Sequence, residues 1–198
     1  MSDNQGLFVI ISSPTGGGKD TVIEHLVKIF PNSTRLITTT SRSPRPTDQQ
    51  GVTYNFISKE DFEAKIKQDY FLEYNNFAGN YYGTPKNYLS NLLKQHSLVF
   101  SNIDVNGKHS LDRLEIANLS CFLLPESMEI LKNRAKKRGG MTEQMLEDRM
   151  KIGLEEIAKA KDYDYQVTNY EGKLDQTVDT IAKIIKKHLG NSLPVDKK

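Results

Sequence analysis

The sequence predicts an α/β protein, a three-layer fold with a parallel sheet flanked by helices. Three observations carry this reading. Continuous apolar runs at 7–11, 97–100 and 121–124 read as strands buried on both faces, as parallel sheets require. Residues Val22, Ile23, Leu26, Val27, Ile29 and Phe30 follow the first run at helical spacing, and Val178, Ile181, Ala182 and Ile185 repeat that spacing near the end. Strands alternating with helices in this way form βαβ units.

Taken in order, the first strand at 7–11 runs into a glycine-rich turn at 13–19 and then a helix closed by Pro31. Residues 33–96 differ in character, rich in Thr, Ser, Arg, Asn and Tyr. They hold a short strand at 54–57 and an amphipathic helix at 59–68, and read as a substrate-binding α+β insertion with less core of its own. A helix with Leu111, Leu114 and Ile116 is expected between the two later strands. Residues 126–150 are basic, with few obligatory core positions, and 155–160 continue as helix. Val167 and Thr168 end a last strand. The final helix, 175–188, carries Lys186, Lys187 and His188 where cations complement the helix dipole, and Gly190 follows it. The expected organisation is one domain: a core of about 5–32, 97–125 and 151–190, an insertion at 33–96, a lid at 126–150 and a tail at 191–198.

Composition excludes several classes. Hydrophobic residues make up 37% and charged residues 26%, which fits a globular chain and no membrane protein. A net charge of +2 gives no general attraction for nucleic acid, so any anion site must come from local placement. The single cysteine, Cys121, allows no intrachain disulfide and lies in an apolar run, as a buried inert thiol would. The four histidines show no metal-ligand spacing. No signal-like or spanning segment opens the chain, so a cytoplasmic location is expected.

The chemistry begins at Ser13-Pro14-Thr15-Gly16-Gly17-Gly18-Lys19. A strand–turn–helix with glycines lets backbone N–H groups converge on phosphate while the helix presents its positive end. Lys19 is then a compact cation for the β and γ phosphates. The phosphate-loop pattern usually opens with Gly and follows its lysine with Ser or Thr; here Ser13 opens and Asp20 follows. A carboxylate is a hard oxygen ligand, so Asp20 is the candidate Mg²⁺ ligand, and Thr21 offers a hydroxyl to the α-phosphate.

Arg42 and Arg45 place two guanidiniums three residues apart around Pro44, and arginine forks match phosphate oxygens. Tyr54 and Tyr82 add phenolic donors. Glu73 follows an apolar pair; buried, it would accept from adjacent N–H donors such as guanine's N1–H and 2-amino group, and exposed it would be an ordinary surface acid. Arg134 and Arg138 share one face of an expected helix, with Arg149 on the next, either as a solvated basic face or as a set that spreads the charge of a transferring phosphoryl group.

Together with Thr39-Thr40-Ser41-Arg42-Ser43-Pro44-Arg45, Gly51-Val52-Thr53-Tyr54-Asn55-Phe56, Phe71-Leu72-Glu73-Tyr74, Gly79-Asn80-Tyr81-Tyr82-Gly83-Thr84 and Asn102-Ile103-Asp104-Val105-Asn106-Gly107, these residues resemble the guanylate kinases over nearly the whole chain. The resemblance implies a P-loop fold with a GMP-binding insertion and a mobile helical lid, using ATP with Mg²⁺. It implies that Arg42, Arg45, Tyr54 and Tyr82 hold the GMP phosphate and that Thr38, Glu73, Thr84 and Asp104 surround the guanine. It implies that Arg134, Arg138 and Arg149 close over ATP, with Gly139-Gly140 as the lid tip, and that Asn169 lies on the adenine or ribose side. One departure stands out: the family's paired acids separated by Ile are Asn102 and Asp104 here. Two other readings fit parts of the sequence. Asp20 also suits a ribose-bisphosphate kinase of the same fold, though a sugar phosphate has no guanine edge for Glu73 to read. A non-catalytic peptide-binding domain of this type would not be expected to keep Gly18, Lys19 and the lid arginines.

Overall fold

The computed structural model describes residues 6–46, 48–77, 79–137 and 142–190. Five strands form one sheet: β1 (Leu7–Ser12), β2 (Ser33–Arg35), β7 (Leu98–Ser101), β8 (Leu119–Pro125) and β9 (Tyr165–Asn169). Their order is β2-β7-β1-β8-β9. β7 pairs in parallel with both β1 and β2, and β8 pairs in parallel with β9. The apolar runs were strands for the expected reason: Val9, Ile10, Ile11, Leu98, Val99, Phe100, Phe122 and Leu123 are all fully buried.

The chain divides into two compact units, one of residues 1–10 and 32–119, the other of 11–31 and 120–198. The first unit also contains a four-stranded sheet, in the order β4-β3-β6-β5, built from β3 (Thr39–Thr40), β4 (Asn55–Phe56), β5 (Phe71–Phe77) and β6 (Asn80–Pro85). β5 and β6 are an antiparallel hairpin with Glu73 opposite Thr84, and β3 pairs antiparallel with β6 and parallel with β4. Helix α2 (Lys59–Lys67) is capped by the Ser58 hydroxyl, which accepts from the Asp61 N–H at 2.9 Å. Its Phe62 ring stacks between Phe71 and Tyr81, at 4.3 and 5.2 Å between centroids. Helices α3 (Lys86–Gln95) and α4 (Val105–Arg113) supply Leu89, Leu92 and Leu111 to a core with Phe8, Ile10, Leu36, Val99 and Ile103. Within 33–96 the buried hydrophobic residues are Leu36, Phe62, Phe71, Leu89 and Leu92, the sparse core its polar composition predicts.

The second unit holds α1 (Lys19–Ile29), α5 (Met128–Lys137), α6 (Glu143–Ala158) and α7 (Leu174–Leu189). α1 buries Val22, Ile23 and Leu26, and α7 buries Val178, Ile181, Ala182 and Ile185. One expectation changes. Leu114 is the exposed C-cap residue of α4 and Ile116 lies beyond the helix, so only Leu111 of that trio is a buried helical position. Among the described residues of 126–150 the buried hydrophobics are Leu131, Ala135 and Leu146, the few core positions expected there. Arg138, Gly139, Gly140 and the tail at 191–198 lie outside the described residues.

Candidate functional site

In the second unit the turn after β1 is held in the conformation that a converging set of N–H groups needs. Gly16 and Gly18 have φ of 88° and 89°, the left-handed region that favours glycine. The Gly17 N–H donates to the Pro14 carbonyl at 2.9 Å, and the Ser13 hydroxyl donates to the same oxygen at 3.1 Å. Gly18 is the N-cap of α1 and offers no side chain to cap it. Anions are drawn to the N-terminal end of such a helix. Lys19 and Asp20 are the first two residues of α1, both half-buried, whereas Thr21 is exposed.

Asn169, at the end of β9, braces this loop. Its Nδ2 donates to the Gly17 carbonyl at 2.9 Å, and its Oδ1 accepts from the Thr177 hydroxyl at 3.0 Å. The packing is close: a Cβ on Gly18 would fall 2.8 Å from Asn169 Nδ2. Arg149 of α6 reaches Thr15, with Nη1 donating to the hydroxyl at 3.4 Å. Arg134 of α5 is gripped by Glu171, its Nε donating to Oε2 at 2.6 Å and its Nη2 pairing with the same oxygen. Two of the three expected lid arginines, Arg134 and Arg149, are therefore described in the unit that carries the loop; Arg138 lies outside the described residues.

The acceptor candidates all fall in the first unit. Arg42 packs its guanidinium over the rings of Tyr54 and Phe56, at 5.6 and 5.5 Å from their centroids. Its Nη2 pairs with Asp48 Oδ2 at 2.8 Å, and both side chains are close to a tenth exposed, at 11% and 9%. Its Nη1 donates to the Ser43 carbonyl at 2.7 Å. A five-donor fork has more donors than these two bonds use. The Arg45 N–H donates to the same Asp48 oxygen at 2.7 Å, so one carboxylate shapes the whole arginine turn. Tyr54 meets Tyr82 edge to face at 5.9 Å. Its hydroxyl accepts from Asn102 Nδ2 at 3.1 Å.

Glu73 lies on β5, buried, with Oε1 accepting from the Thr84 hydroxyl at 2.6 Å. Burial pushes its carboxyl up to about 7, the Thr84 hydrogen bond pulls the other way, and the Asp104 charge adds to the rise. Gly107 makes room for the carboxylate, because a Cβ there would fall 2.9 Å from Glu73 Oε2. Asp104 is the N-cap of α4, with Oδ1 accepting from the Gly107 N–H at 2.8 Å. Its Oδ2 accepts from Asn75 Nδ2 at 3.1 Å. Thr38 is buried just before β3, and its carbonyl accepts from the Asn55 N–H at 2.9 Å. The structure thus brings Arg42, Tyr54 and Tyr82 together at one end, and Glu73, Thr84 and Asp104 at the other, with Tyr82 and Thr84 two residues apart on β6.

Sequence reasoning missed four supporting residues: Asp48, Asn75, Thr177 and Glu171. Only Asp48 carried a local signal, an acid three residues after Arg45. Described residues contain no group of three His, Cys, Asp or Glu side chains placed to hold a metal, and no helix among them is long and apolar enough to cross a membrane. Cys121 is buried, and burial pushes its thiol up to about 12, where it is inert.

Comparison with known proteins agrees with this geometry. A family model described as guanylate kinase matches residues 5–188. A guanylate kinase of Rickettsia bellii is 39% identical over 93% of this chain and 94% of its own length. One from Clostridium tetani is 41% identical over 91% of this chain and 86% of its own. The crystal structure of guanylate kinase from Anaplasma phagocytophilum superposes with a TM-score of 0.75 at 25% identity, covering 93% of this chain and 87% of that one. With a braced glycine loop in one unit, a buried carboxylate and an arginine–tyrosine cluster in the other, and a family match running across both, the chain belongs to the guanylate kinase family.

Proposed function

We propose that this protein transfers the γ-phosphoryl group of ATP directly to GMP, and to dGMP, giving ADP and GDP or dGDP. The observation that carries the acceptor is Glu73. A surface acid would be hydrated and exposed; this one is buried, approached by Thr84, and set among Asp104 and Gly107. An ionised carboxylate there accepts from two adjacent N–H donors, which guanine offers at N1 and its 2-amino group and adenine does not. Thr38, Thr84 and Asp104 complete the base contacts in this reading, and Arg42, Arg45, Tyr54 and Tyr82 take the acceptor phosphate.

On the donor side, Ser13, Pro14, Thr15, Gly16, Gly17 and Gly18 wrap the ATP phosphates with their backbone, and Lys19 neutralises the β and γ groups. Asn169 acts through the loop it braces, and Thr21 offers a hydroxyl to the α-phosphate. Mg²⁺ enters with ATP. The donor set fits a metal carried mainly by nucleotide phosphates and water, with Asp20 as one protein oxygen, since Mg²⁺ is usually held by one or two carboxylates plus phosphates. Bound there, the metal would supply charge neutralisation for the transferring phosphoryl group, with Asp20 as the residue that would hold it. Arg134, Arg138 and Arg149 spread the remaining charge of the in-line transfer, while closure excludes water as a competing acceptor.

The test is an acceptor panel of GMP, dGMP, AMP and ribose 1,5-bisphosphate, run with ATP, with and without Mg²⁺. Turnover of the guanine nucleotides alone, dependent on Mg²⁺, is expected. Turnover of the sugar phosphate with none of GMP would replace this reading.

A further inference from the structure

Two elements of the second unit close on neighbouring glycines of the loop after β1. From the end of β9, Asn169 Nδ2 donates to the Gly17 carbonyl at 2.9 Å. Helix α5 packs its backbone against Gly16, where a Cβ would fall 3.0 Å from the Leu131 carbonyl oxygen and 3.3 Å from the Ala135 nitrogen. Arg134 immediately precedes Ala135, and Glu171 lies two residues after Asn169. Their side chains meet: Arg134 Nε donates to Glu171 Oε2 at 2.6 Å, and Nη2 pairs with the same oxygen. These contacts form a ring, from Gly16 to α5, through the ion pair to the turn after β9, and back through Asn169 to Gly17. The turn is anchored as well, because the Glu171 N–H donates to Glu126 Oε2 at 3.0 Å, one residue beyond the pairing of Pro125 with Asn169.

The ion pair is partly open to water, with side chains 23% and 57% exposed for Arg134 and Glu171. Such a pair adds little to stability. Its geometry is more informative. Glu171 takes Nε and one Nη2 hydrogen, along a single edge of a group that carries five. A guanidinium is a rigid plane, so holding one edge fixes the direction of the rest of the fork. The ring of contacts ties that direction to the loop itself.

We propose that Glu171 is a positioning residue for ATP, orienting Arg134 against the glycine loop so that its guanidinium meets the nucleotide already aligned. This rests on the reading of Arg134 as a residue that acts on ATP.

A double-mutant cycle tests the proposal, with kcat and KM for ATP and for GMP measured on wild type, Glu171→Ala, Arg134→Ala and the pair, and thermal unfolding followed for each. Glu171→Ala keeps the bond to Glu126, which uses the backbone N–H. It is expected to lower kcat/KM for ATP by about five- to tenfold in wild type, and by less than about twofold once Arg134 is Ala. KM for GMP stays within about twofold, and Tm within about 4 °C. Unaltered kcat/KM for ATP, an equal loss in both backgrounds, or a parallel rise in KM for GMP would each overturn it. So would a gain in kcat/KM for ATP, which would make the carboxylate a competitor of the nucleotide for Arg134. Failure of the parent reading looks different: Arg134→Ala alone would keep the wild-type kcat/KM for ATP.

Discussion

Thr84 donates its hydroxyl to Glu73 across the β5–β6 hairpin at 2.6 Å, and the carboxylate that receives it is buried. The pair sits in direct register, so the hairpin alone fixes their approach. Glu73→Gln keeps the shape and the Thr84 bond but exchanges one acceptor oxygen for a donor. Guanine then meets a like donor instead of an acceptor. We expect kcat/KM for GMP to fall by about a hundredfold or more, the cost of unpaired buried polar groups, while KM for ATP holds. Steady-state kinetics with each substrate varied checks this. Equal losses on both sides would make Glu73 a structural residue.

The same burial gives a pH signature. Glu73 titrates near 7 when folded, against an ordinary value of 4.5, so the folded state binds its proton more tightly. Stability then falls as pH rises from about 4.5 through about 7, and is level above, by up to about 3 kcal/mol. Glu73→Gln removes that slope, which urea unfolding at a series of pH values measures. Activity moves the other way. Guanine needs the ionised acceptor, so kcat/KM for GMP falls by up to tenfold per unit below about pH 7. The phosphate of GMP titrates nearby, and the Gln variant, which shares that titration, isolates the contribution of Glu73.

Asp48 is the next point of leverage, because one of its oxygens takes both the Arg42 guanidinium and the Arg45 N–H. The pair is nearly desolvated, so Asp48→Ala leaves a buried cation without its partner. A loss of about 2–4 kcal/mol is expected in thermal or denaturant unfolding. Saturating GMP should narrow the gap to wild type, since the nucleotide phosphate replaces the carboxylate beside Arg42. A gap that GMP leaves unchanged would separate this turn from the acceptor phosphate.

Legibility in the sequence followed the strength of the pattern. β1, α1 and α7 were readable because burial on two faces or one stripe leaves a run or a period. The β5–β6 hairpin leaves no apolar alternation in the sequence, because its buried positions include the polar Glu73 and Thr84 and the glycine Gly83. Helix α3 hid behind its polar residues, although Leu89, Leu92 and Leu93 keep a helical spacing. The candidate site residues were legible through motifs. Most of their supports were not, because Asn75, Glu171 and Thr177 act by contacts that no local pattern encodes. Thr177, for example, reaches Asn169 only because α7 returns against β9.

That return predicts a loop-specific effect. Asn169→Ala frees the Gly17 carbonyl and strips Thr177 of its acceptor. KM for ATP is expected to rise by about tenfold as the loop loses its shape, with KM for GMP nearly unchanged. Gly18→Ala should be worse, because φ at 89° disfavours any side chain and its Cβ would fall against Asn169. Calorimetric titration of each variant with ATP and with GMP reads the difference.

In the proposed function Asp20 is the loop's contact with the metal. It follows Lys19 in the first turn of α1, where an acid complements the helix dipole whatever else it does. If that were its whole role, Asp20→Ser would cost about 0.3–1 kcal/mol of stability and leave the Mg²⁺ dependence alone. As a metal contact it behaves differently. Asp20→Ala removes the oxygen ligand and should lower kcat/KM for MgATP by about a hundredfold, with the optimum moved to higher Mg²⁺. Asp20→Ser supplies another hard oxygen and should keep activity within about tenfold of wild type. Titrating activity and ATP affinity against Mg²⁺ for both variants distinguishes the cases. A serine variant as poor as the alanine one would mean that the loop is built around the carboxylate itself.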